Sequence, residues 1–94
     1  MGRYINPKIL TKEEWLHTHG TPVRAAPLSA IAENGCLPVC LVDNGPFTAA
    51  GICYNDRELK AFQSPDDWRL KEWYMVPVER LLEVCPELAD RLNP

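Results

Sequence analysis

Two apolar runs, Leu37 to Val42 and Phe47 to Tyr54, flank the polar stretch Asp43-Asn44-Gly45-Pro46. Asn-Gly between hydrophobic runs is the strongest short-range signal for a hairpin, so the pattern predicts one at the centre of the chain. Pro46 carries no N–H, and the expected connection is therefore the longer one, Asp43 to Pro46, with Val42 paired to Phe47. In that register one face holds Leu37, Val39, Leu41, Ala50, Ile52 and Tyr54, bulky enough to be core. The other holds Cys36, Pro38, Cys40, Val42, Phe47, Ala49, Gly51 and Cys53, whose mostly small side chains let another element approach closely. The same register sets Cys36 opposite Cys53, within reach of a disulfide.

Upstream, Arg3 to Asn6 reads as an extended arm halted by Pro7. Thr11 and Glu14 form a capping box with Leu10 and Trp15 as its hydrophobic staple, which predicts a helix from Lys12 to Thr18 with Gly20 near its C-terminal cap. A helix this short persists only when docked, and Ile9, Trp15 and Leu16 are the residues expected to dock it. Thr21 to Asn34 fits two patterns. Pro27 can start a helix through Ala32, or Leu28, Ala30 and Ala32 can alternate into a strand closed by Asn34-Gly35; the alanines favour the helix.

Downstream, Asn55 to Glu58 caps a short helix or irregular turn through Phe62, and Ser64-Pro65-Asp66-Asp67 supplies loop chemistry. Arg69 to Val76 reads as a third strand, with Trp73 and Met75 on one face and Tyr74 and Val76 on the other. Pro77 ends it and opens a last helix, whose Val78, Leu81, Leu82 and Cys85 share a face; Pro86 divides that helix. The expected architecture is α+β: one compact unit over residues 1–94, with a small antiparallel sheet of about three strands built on the central hairpin and flanked by short N-terminal and C-terminal helices. Both faces of the sheet carry apolar residues. Either Thr21–Asn34 covers the second face, or another protein does.

Charge and composition narrow the partners. A net charge of −3 opposes phosphate-driven nucleic-acid binding, which needs clustered Lys and Arg. No apolar run approaches the ~20 residues of a membrane span, and no secretory or myristoylation pattern opens the chain, so no membrane association is expected. These features point to the cytoplasm, where the four cysteines stay reduced and packed.

Catalytic signatures are absent. His17 and His19 stand together at a helix end, where the helix dipole favours a charged imidazole, and no cysteine or serine motif accompanies them. The glycines form no phosphate-binding pattern, the cysteines no Cys-x-x-Cys, and no cofactor or metal is implied. Aromatic and cationic residues are densest in Trp68, Arg69, Lys71, Trp73 and Tyr74; Trp, Tyr and Arg dominate interface hot spots, and one of Trp73 and Tyr74 is expected in the core. With Arg57, this set is the candidate partner-binding surface. It also offers stacking and phosphate contacts to a nucleotide.

In overall character the chain resembles the short accessory proteins of tailed bacteriophages: under 100 residues, compact and without a catalytic motif. That resemblance implies a protein that occludes or sequesters a host protein. The expected function is thus a non-catalytic intracellular binding protein that engages a host protein or itself as a homo-oligomer. An oligomeric nucleotide-binding protein and a Cys/His metal-binding protein are the alternatives.

Overall fold

The central hairpin forms as expected in the computed structural model, which describes residues 5–24, 35–63 and 72–92. Its strands are β3 (Cys36–Asn44) and β4 (Phe47–Ile52), joined by Gly45 and Pro46 alone. Asn44 pairs with Phe47 and Val42 with Ala49, so the expected pairing of Val42 with Phe47 is off by two residues. Pro46 is accommodated because a two-residue turn closes through the N–H groups of its flanking residues. Gly45, at φ +68°, takes the left-handed conformation that a primed turn needs at its first central position.

An even shift keeps every side chain on its expected face, so the bulky and small faces are as the pattern divides them. It does not keep the cysteine pair. Cys36 lies opposite Pro77, the Cys53 N–H donates to the Pro38 carbonyl at 2.9 Å, and none of the four cysteines is in a disulfide.

The sheet has five strands rather than about three, all antiparallel. With β1 (Lys8–Thr11), β2 (Thr21–Val23) and β5 (Glu72–Pro77), their order is β1-β4-β3-β5-β2. The α+β class stands. Of the Thr21–Asn34 segment, Thr21–Val23 is strand, and the helix expected over Pro27–Ala32 lies outside the described residues.

Asn6 ties β1 to the hairpin. The register that pairs Lys8 with Ala50 would set residue 6 against Ile52, and there the Asn6 side chain substitutes for a strand backbone. Its Oδ1 accepts from the Ile52 N–H at 2.8 Å, and its Nδ2 donates to the Ile52 carbonyl at 2.9 Å and to Glu58 Oε2 at 3.1 Å.

Four short helices complete the described fold. In α1 (Lys12–His17) the capping box is closed both ways: Thr11 Oγ1 accepts from the Glu14 N–H at 3.1 Å, and Glu14 Oε1 accepts from the Thr11 N–H at 2.9 Å. The left-handed residue after α1 is His19 (φ +54°), not Gly20. Asn55 caps α2 (Asp56–Phe62), accepting from the Glu58 N–H at 2.8 Å. The C-terminal helix is divided at Pro86, as expected, into α3 (Val78–Val84) and α4 (Leu88–Leu92).

On the bulky face, Leu37, Val39, Leu41, Ala50, Ile52 and Val76 form one core with Leu81, Cys85 and Leu88, and Trp15 packs against it. The second face is covered in part by α2, a cover the pattern did not offer; of the Thr21–Asn34 cover that it did offer, residues 25–34 lie outside the described residues. Leu59 is buried with Cys40, Cys53 and Trp73, and Phe62 and Val23 pack on that cluster. Gly51 makes the approach possible: a Cβ there would stand 2.5 Å from the Phe62 ring. Of the three residues expected to dock α1, only Trp15 does so; Ile9 and Leu16 are exposed.

Candidate functional site

Where α2 ends, the second face changes character. The β1–β4 and β3–β4 registers align Ile9, Ala49 and Val42 across three strands, with Thr11 opposite Phe47 on the same face nearer the turn. Ala49 and Val42 are half-buried, whereas Ile9 is 58% and Phe47 50% exposed. β1 is an outer strand of the sheet, so this apolar row ends at an edge where a further strand or a partner surface can add. Leu16, 71% exposed on α1, is the other large exposed apolar side chain among the described residues. It is a single residue on a helix surface, which is ordinary, whereas two large exposed apolar side chains at diagonal positions of one sheet face are not.

A polar cleft of about 380 Å³ lies elsewhere, between α2 and α4, lined by Tyr54, Asn55, Arg57, Glu58, Asp90 and Arg91. The Tyr54 hydroxyl donates to Glu58 Oε1 at 3.3 Å. Burial and the Glu58 carboxylate push the phenol pKa up, while Arg91 and Arg57 pull it down.

Charged contacts fasten the N-terminal elements to the C-terminal helices. His17 Nε2 meets Glu83 Oε2, Arg80 Nη1 lies 3.6 Å from the same oxygen, and Lys8 Nζ donates to Glu87 Oε1 at 3.2 Å. The His17 hydrogen bond, more than the Arg80 charge, holds the Glu83 carboxyl below its ordinary range. The His17 and His19 rings are 6.2 Å apart. Among the described residues, which include both histidines and all four cysteines, no three His, Cys, Asp or Glu side chains converge as metal ligands.

On the second face the Cys53 thiol is buried and held protonated. Burial, with the neighbouring Cys40 and Glu58, pushes Cys53 up to about 12. Cys85, buried in the first core, is raised by burial and by Glu87.

The described members of the aromatic–cationic set, Arg57, Trp73 and Tyr74, do not share one surface. Trp73 is buried under α2, while Tyr74 projects from the opposite face, where its ring meets Trp15 edge-on at 5.1 Å and its hydroxyl donates to Glu72 at 3.1 Å. Arg57 lines the α2–α4 cleft, away from both aromatics. Trp68, Arg69 and Lys71 lie outside the described residues. The sequence pattern does not mark Ile9 and Phe47 as site residues. Phe47 stands among small residues on the second face of the hairpin pattern, which is the one available signal, and Ile9 reads as a docking residue because the pattern does not predict β1.

No protein-family model, curated protein or solved structure matches the chain. What the structure defines by its own geometry is a five-stranded antiparallel α+β fold with a partly covered second face.

Proposed function

We propose that this is a non-catalytic binding protein that engages another protein through the β1–β4 edge of its second sheet face, and acts by occluding that partner. The observation that carries the reading is the pair Ile9 and Phe47, both at least half exposed on one face beside an outer strand. Removing such apolar surface from water favours association at roughly 25 cal/mol per Å², and an open strand edge adds directional backbone hydrogen bonds. The partner is a second copy of the chain or a host protein; in both cases the same edge is consumed. The resemblance to small phage accessory proteins is in keeping with the second form.

The test replaces apolar area with charge. Ile9→Glu/Phe47→Glu is compared with the parent chain by light scattering over a range of concentrations, and by recovery of partners from cells expressing the tagged protein. The double variant loses the self-association or the partner that the parent shows, while Leu16→Glu keeps it. Association that survives the double substitution undiminished overturns the proposal.

A further inference from the structure

We infer that the cleft between α2 and α4 is a separate binding site for a small oxyanion, a carboxylate or monophosphate group held jointly by Arg57 and Arg91. The two arginines reach this cleft from different elements, and both guanidiniums act on the same Tyr54 hydroxyl. Among the described residues neither has a carboxylate partner within 4.0 Å. The Glu58 and Asp90 carboxylates also line the cleft but pair with neither guanidinium, so the two like charges gathered there repel each other and a bound oxyanion relieves that repulsion. The guanidinium is also the side chain best shaped to grip such a group, through paired, charge-assisted hydrogen bonds.

The carboxylates at the site sharpen the ligand class. Glu58 is already engaged at both oxygens: Oε1 accepts from Tyr54 at 3.3 Å and Oε2 from Asn6 at 3.1 Å. Asp90 lines the cleft and is exposed. It opposes a highly charged ligand and leaves a singly or doubly charged one favoured. Asn55 contributes an amide N–H, because its Oδ1 is occupied in capping α2. A volume of about 380 Å³ suits a metabolite-sized ligand.

The experiment titrates the full-length protein with inorganic phosphate, acetate and tripolyphosphate at low ionic strength, following the Arg Nε–Hε and backbone amide signals by NMR. Phosphate and acetate are expected to give saturable shifts at Tyr54, Asn55, Arg57 and Arg91, and tripolyphosphate to bind no more tightly than phosphate. Arg57→Gln/Arg91→Gln weakens phosphate at least about tenfold, the equivalent of one lost charge-assisted hydrogen bond. Asp90→Asn strengthens it, a gain that no loss of folding can imitate, and Arg80→Gln leaves it unchanged. Absence of saturable shifts overturns the site. So does phosphate binding that is indifferent to both the double substitution and Asp90→Asn, or a marked preference for tripolyphosphate.

Discussion

At the scale of single residues, two polar or small side chains do what the hydrophobic pattern alone does not reveal. Asn6 is buried and supplies both hydrogen bonds that Ile52 lacks from a strand neighbour. Asn6→Ala is expected to cost about 1–3 kcal/mol, because the buried Ile52 N–H is left unpaired while the Ile52 carbonyl keeps the Tyr54 N–H at 3.1 Å. Urea unfolding measures this, and a loss within error of zero would contradict the role. Gly51→Ala is expected to push the Phe62 ring off the sheet and cost about 1–3 kcal/mol in the same assay, as overpacking does. The cysteines offer a chemical check. Cys36 is half-buried, while Cys40, Cys53 and Cys85 are buried, with Cys53 and Cys85 raised further from reactivity. Brief alkylation of the folded protein labels Cys36 first, and mass spectrometry finds the other three modified only after unfolding. Early labelling of Cys53 would refute its burial.

At the scale of elements, what was legible in the sequence follows from how local each signal is. α1 was readable because its capping box is written in four consecutive residues, Thr11 to Glu14, and the hairpin because Asn-Gly sits between two apolar runs. β1 and β2 were not, since they are strands of four and three residues whose partners lie far along the chain, Ala50 for Lys8 and Met75 for Thr21. α2 was foreseen as a short helix or turn, but only Leu59 and Phe62 in its polar run mark the face that covers the sheet. The charged contacts between elements make a pH prediction. The Glu83 carboxyl is held low by His17, and that of Glu87 by its own backbone N–H and by Lys8. The unfolded chain therefore binds these protons more readily than the folded one. Their stabilisation is fully present above the ordinary carboxyl range and lost as pH falls through the lowered values. Between about pH 5 and pH 3, Glu83→Gln/Glu87→Gln is expected to lose stability less steeply than the parent. Equal slopes in denaturant titrations would show that the two contacts are not made in solution.

At the scale of the whole molecule, the question raised by the hairpin pattern was what covers the second face. The division into faces was readable because side-chain alternation survives an even register shift, but the cover was not, because it depends on where α2 docks. The helix closes the half around Gly51 and Trp73, and the apolar row Val42, Ala49 and Ile9, with Phe47, runs from the central strand β3 out to the edge strand β1. The candidate site was correspondingly half legible: Phe47 was on the right face, while its neighbour Ile9 arrives through a strand that only the tertiary fold defines. Site-specific photo-cross-linking inside cells tests the central claim most directly, with a photoreactive benzoylphenylalanine placed at position 47 or, as the control, at position 16. Position 47 is expected to yield a discrete adduct, with a second copy or with another protein, that disappears when Ile9→Glu is added, and position 16 to yield none. No adduct from position 47, or one that Ile9→Glu leaves intact, would contradict the account.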